Sequence, residues 1–108
     1  MSAIRICALD ELGQDEAMRV DVDDFSIAVV KDSSGTVHAI GDTCTHGDIS
    51  LSEGFVDGET LECWAHGSRF SLVTGKPISL PAYEPVPVYR VTIVDGDVFV
   101  DPYEIIAV

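Results

Sequence analysis

Two short boxes in this chain pair a thiol with an imidazole. Cys44 and His46 stand as C-x-H in "CTHG", and Cys63 and His66 stand as C-x-x-H in "CWAHG". Sixteen residues separate the two pairs. Thiolate is a soft ligand and imidazole a borderline one, so four such side chains suit a transition metal. Gly47 and Gly67 follow the two histidines directly. Glycine there lets the backbone approach a bulky group and aim amide N–H groups at it. The third cysteine, Cys7, and the third histidine, His38, lie far from both boxes. Cys7 reads as a small core residue and His38 as a structural or surface one.

Three readings of the boxes compete. Two buried free cysteines and two satisfied histidines would suit a lone Cys or His better than two matched pairs. Structural zinc accepts a Cys₂His₂ set, but C-x-H is tighter than its usual knuckles and the second pair does not end in H-x₃₋₅-H. A Rieske [2Fe–2S] centre places two cysteines on one iron and two histidines on the other, one of each from each loop.

The elements that must present these boxes read as short strands separated by turn signals. "IRICAL" (4–9) alternates, "DELGQDEAM" is a loop or short helical turn, and "RVDV" (19–22) and "FSIAVVKD" (25–32) are strand-like. "SSG" (33–35) is a hairpin turn and "TVHAIG" (36–41) returns from it. Such spacing predicts an all-β sandwich or barrel. From 42 to 60 the periodicity fades into Gly, Asp, Ser and Thr, with "DG" at 57–58 marking a tight turn. "TLECW" (60–64) alternates again, and 66–77 holds a short strand and a Gly turn. The first half of the proline-rich stretch 78–89 is irregular or an edge. "VYRVTIV" (88–94), "DGD" and "VFV" (98–100) make a terminal hairpin, and "PYEIIAV" either packs on the sandwich or meets a partner.

Composition narrows the function. Nineteen acids against six bases give a formal charge of −13, which disfavours nucleic acid and anionic membranes. It suits a basic protein partner, although net charge also simply keeps a protein soluble. No apolar run approaches the roughly 20 residues of a membrane span, and the start lacks a signal-peptide pattern. Three cysteines in a chain of this kind make no disulfide framework. A single soluble, cytoplasmic domain is expected.

At residues 44–77, "CTHGDISLSEGFVDGETLECWAHGSRFSLVTGKP" resembles the cluster-binding region of Rieske ferredoxins. "LSEG", "TGKP" and "YEPVPVY" are most similar to the ferredoxin components of bacterial aromatic-ring dioxygenases. The resemblance implies one Rieske domain over 1–108, a small antiparallel β-sandwich or barrel with a loop-rich cluster-binding subdomain at about 42–82. It implies one [2Fe–2S] cluster on Cys44, His46, Cys63 and His66, with the histidine-held iron the more exposed. The protein would be an electron carrier and not an enzyme, and a monomer. Electrons would come from a flavin reductase using NADH or NADPH and leave to a terminal non-haem iron oxygenase.

The neighbouring residues refine this. Respiratory and photosynthetic relatives carry an extra cysteine in each box, where this chain has Ala65 in the second. High-potential relatives follow the second histidine with a Ser-x-Tyr pair of donors, whereas here Ser68 is kept and Phe70 replaces the tyrosine. One lost donor points to a potential on the order of −150 to 0 mV. Pro81 falls where the family has a third loop covering the cluster, or it is a plain edge proline. Trp64 either shields the cluster or anchors the packing. The alternatives are a Rieske ferredoxin for another oxidoreductase or for iron–sulfur assembly, a nitrite-reductase-like small subunit, and a zinc-stabilised interaction module without redox chemistry.

Overall fold

Antiparallel pairing runs throughout the computed structural model, which describes residues 3–22, 25–43, 50–64, 69–78 and 85–107. In chain order its strands are β1 (Ile4–Ala8), β2 (Glu16–Val22), β3 (Phe25–Lys31), β4 (Val37–Gly41), β5 (Phe55–Asp57), β6 (Thr60–Glu62), β7 (Arg69–Ser71), β8 (Val88–Val94) and β9 (Asp97–Ala107). Single 3₁₀ turns occupy Leu9–Glu11 and Leu51–Glu53. Six strands form one sheet in the order β1-β9-β8-β4-β3-β2, and β5-β6-β7 form a second.

The unbroken apolar run in β3 is explained by burial on both faces. Ile27, Ala28, Val29 and Val30 are all 0% exposed. Side chains alternate along a strand, so Ile27 and Val29 point one way and Ala28 and Val30 the other. Ile27, Val29 and Ala39 meet Cys7, Leu12, Tyr89, Val98 and Val100 in a core to which all six strands contribute, and the large sheet therefore curls into a nearly closed barrel. Ala28, Val30 and Ile40 face a second core with Leu51, Leu61, Cys63, Phe70, Leu72 and Val86. That core joins the small sheet to the barrel. Truncating Phe70, fully buried in it, to Ala would cost about 3–5 kcal/mol.

Turn chemistry sets the hairpins. Asp95 and Gly96 both have positive φ, 51° and 78°, as a two-residue type I′ turn between β8 and β9 requires. The weakly periodic stretch 42–60 holds more structure than its pattern suggests, because Leu51–Glu53 form a 3₁₀ turn and β5 pairs with β6. The tail is strand rather than a loose extension. β9 runs to Ala107, and its pairing with β8 jumps between Tyr89↔Ile105 and Arg90↔Asp101. The resulting bulge contains Pro102, which has no N–H to offer a ladder.

Candidate metal centre

Cys63 leaves the end of β6 and is 1% exposed, with no disulfide partner. Its side chain closes the core formed by Leu61, Phe70, Leu72 and Val86. Trp64, the next residue, is 52% exposed. Cys44, His46, Gly47, His66, Gly67, Ser68 and Pro81 lie outside the described residues. Among the described residues no group of three or more metal-ligating side chains occurs.

What the structure does show is how the chain on either side of the boxes is held. Thr43 and Ser50 form an antiparallel bridge that brackets residues 44–49. Leu51 N–H donates to the Asp42 carbonyl at 2.6 Å on the same neck. Glu62 and Arg69 are register partners on β6 and β7 and bracket residues 63–68. Residues 79–84 are bracketed by two further bonds. Ile78 N–H donates to the Arg69 carbonyl at 2.6 Å and Val86 N–H to the Gly75 carbonyl at 2.8 Å.

These three necks are tied to one another. Gly41 N–H donates to the Pro87 carbonyl at 2.9 Å, joining the first to the third. The Ile78–Arg69 bond joins the second to the third. Gly54 joins the first to the second: a Cβ there would lie 1.9 Å from the Glu62 carbonyl oxygen. Gly75 has φ +73°, and a Cβ would lie 2.0 Å from the Val86 carbonyl oxygen. Glycine is required at both places by close backbone approach. The sequences carrying Cys44 with His46, Cys63 with His66, and Pro81 therefore all start and finish at backbone necks joined to one another.

This arrangement fits a [2Fe–2S] group. Two thiols and two imidazoles are the donor set that such a centre takes, and the one described ligand candidate is a buried, unpaired thiol at the second of these necks. The remaining cysteine and histidine are accounted for elsewhere. Cys7 is buried in the barrel, and burial pushes its thiol up from the ordinary value, keeping it protonated. His38 Nε2 lies 2.7 Å from Oδ2 of the buried Asp32, which makes it structural.

The model of the Rieske [2Fe–2S] domain matches residues 2–90. The chain belongs to that family. It is a Rieske-type ferredoxin, closely related to ferredoxin subunits of aromatic-ring dioxygenases, and a one-electron carrier rather than the oxygenase itself. It is 37% identical over 102 residues to the 3-phenylpropionate/cinnamic acid dioxygenase ferredoxin subunit of Escherichia coli K12, covering 94% of each chain. Among solved structures, the ferredoxin of carbazole 1,9a-dioxygenase from Nocardioides aromaticivorans IC177 superposes with a TM-score of 0.89 at 33% identity, covering 94% of this chain and 99% of that one. A ferredoxin chain solved in complex with the oxygenase of carbazole 1,9a-dioxygenase also gives 0.89, at 36% identity and 95% coverage of both. Among the described residues no helix is long and apolar enough to cross a membrane.

Sequence reasoning passed over Asp42 and Gly54, and it read Gly75 as a turn glycine without its contact to Val86. Asp42 is 2% exposed, yet in "HAIGDTC" it reads as an ordinary turn acid. Nothing local marks the two glycines as contact points, because the atoms they approach lie 8 residues (Glu62) and 11 residues (Val86) further along the chain.

Proposed function

We propose that this ferredoxin carries single electrons from an NAD(P)H-dependent flavin reductase to a terminal non-haem iron ring-hydroxylating oxygenase in the cytoplasm. The observation that carries the reading is its 37% identity, over 94% of both chains, to a dioxygenase ferredoxin subunit. The complex of a similar ferredoxin with its oxygenase supports the second partner. The reductase follows from the need to refill a one-electron carrier.

In this reading Cys44 and Cys63 supply the thiolates and His46 and His66 the imidazoles, within a cluster-binding part at about 42–82 of a single domain spanning 1–108. When bound, the cluster takes up one electron and gives it back. The chain does the rest. Burial of Cys63 keeps water from its sulfur, and the tied necks hold the ends of the two boxes. Gly47 and Gly67 leave room for close backbone approach, Ser68 donates a hydrogen bond, and Pro81 stiffens a covering segment. Trp64, exposed beside Cys63, offers an apolar surface to a partner.

Iron and acid-labile sulfide per chain, with EPR spectra before and after dithionite, test the ligand assignment. Two irons, two sulfides and a Rieske signal that appears only on reduction are expected. Zinc without a signal would sink it. Reduction of the purified protein by a flavin reductase with NADH or NADPH, followed by reoxidation by an oxygenase, tests the partners.

A further inference from the structure

Three carboxylates are buried among the described residues: Asp32, Asp42 and Asp101. Asp32 sits at the β3–β4 turn, and Asp101 lies on β9 opposite Arg90. Asp42 alone stands at a neck of the cluster-binding end, just ahead of Cys44. Its Oδ1 accepts the Ser52 N–H at 2.9 Å and its Oδ2 accepts the Ser50 hydroxyl at 2.5 Å. Arg19 Nε is 3.8 Å from Oδ2. The backbone of Asp42 donates to the Ser26 carbonyl at 3.0 Å and accepts from Leu51 N–H at 2.6 Å. One residue thus fastens the far side of the first box to β3 and β4.

Burying a carboxylate is costly, and here the cost is offset by charge-assisted hydrogen bonds from Ser50 and Ser52. The charge so held, two residues ahead of Cys44, has a second consequence. We propose that Asp42 is a positioning residue for the first box and, through its fixed negative charge, a setter of the cluster's reduction potential. The proposal rests on the ligand assignment made above. Reduction adds one electron and hence one negative charge, so a nearby buried anion disfavours the reduced state and lowers the potential.

Among the described residues, Asp42 is the one buried acid within two residues of a proposed ligand, so screening weakens its charge least. Exposed charges are largely screened beyond about 8 Å at physiological salt, whereas buried ones are screened much less. Arg19 offsets only part of the charge, because it is 51% exposed and shared with Asp21 at 3.2 Å. Asp32 supplies an internal control. The whole of β4 separates it from Asp42, roughly 16 Å at the usual strand rise.

The test is a redox titration of the cluster-loaded protein, with dithionite as the electron source. Asp42→Asn is expected to shift the midpoint potential positive, and to keep that shift in 1 M NaCl, where the Debye length is about 3 Å. Asp32→Asn is expected to leave the potential at the wild-type value. Asp42→Ala, which also removes the acceptor for Ser50 and Ser52, is expected to lose iron to a chelator about tenfold faster than Asp42→Asn. An unshifted Asp42→Asn, a shift that vanishes in high salt, or an equal shift in Asp32→Asn would overturn the electrostatic role. Equal iron loss from the two Asp42 variants would overturn the positioning role. Should Asp42→Asn not fold, Ser50→Ala decides, because it removes the hydroxyl that donates to Oδ2 without removing any charge: a more negative potential supports the proposal, and an unchanged one overturns it. Wild-type protein without a [2Fe–2S] signal would remove the ligand assignment and the proposal together. A wild-type signal with an unshifted Asp42→Asn would remove the proposal alone.

Discussion

Replacing Asp32 by Asn separates charge from shape at the β3–β4 turn. The Asp32 carboxyl is 0% exposed. Its Oδ1 accepts the N–H groups of Ser34 and Thr36 at 2.9 and 3.0 Å and the Ser34 hydroxyl at 2.7 Å. Its Oδ2 is 2.7 Å from His38 Nε2. Burial by itself pushes the carboxyl up, but the hydrogen bonds from His38, Ser34 and Thr36 outweigh it and hold the value at about 2, below the ordinary 3.8. At about 1.36 kcal/mol per pH unit, that difference stabilises the fold by about 2 kcal/mol when the group is ionised. The folded value is depressed, so this stabilisation is present above the unfolded value and is lost as pH falls through about 2. Asparagine keeps an acceptor for Ser34 and Thr36 but carries no charge. Far-UV circular dichroism melts at pH 7 are expected to place Asp32→Asn about 10 °C below wild type, taking about 4–8 °C per kcal/mol for a domain of this size. The two melts should converge as the pH approaches 2. Equal midpoints at pH 7, or a gap that persists unchanged into acid, would refute the reasoning.

Other perturbations address the cluster-binding end. Gly54→Ala would put a Cβ 1.9 Å from the Glu62 carbonyl oxygen. It should cost about 1–3 kcal/mol and lower the fraction of chains holding a cluster, read as iron per chain after purification. Wild-type iron content would mean that this contact does not align the boxes. Cys63→Ser is expected to abolish the Rieske EPR signal while leaving far-UV circular dichroism all-β; a retained signal would place the ligand elsewhere. Ser68→Ala should lower the midpoint potential if, as proposed, Ser68 donates a hydrogen bond that favours the reduced cluster. A potential that does not move would mean that Ser68 donates nothing to the cluster.

Much of this protein is legible in local pattern. The C-x-H and C-x-x-H boxes declare a ligand set by residue type alone, and the strands around "SSG" and "DGD" follow from turn chemistry that acts within a few residues. The same pattern also set limits. Stretch 42–60 looked aperiodic because its strand, Phe55–Asp57, is only 3 residues long and pairs within a small sheet. Neighbouring residues in one box part company in burial, Cys63 at 1% and Trp64 at 52% exposed, and the local pattern gives no sign of it. β9 reads as "VFV" alone because Pro102 and the acids around it break the alternation, and only pairing with β8 across a bulge carries it to Ala107.

The sequence by itself determined the chemistry this protein can hold, since ligand identity is a property of side chains and their short spacing. Tertiary structure decided which faces are buried and which distant residues hold the boxes. Ala28 and Val30 point to one core and Ile27 and Val29 to another only because two sheets close on β3. Gly54 meets Glu62, Gly75 meets Val86, and Asp42 sinks to 2% exposure, through contacts between separate elements. Burial and close approach arise when the chain closes on itself, so no window of neighbouring residues can display them.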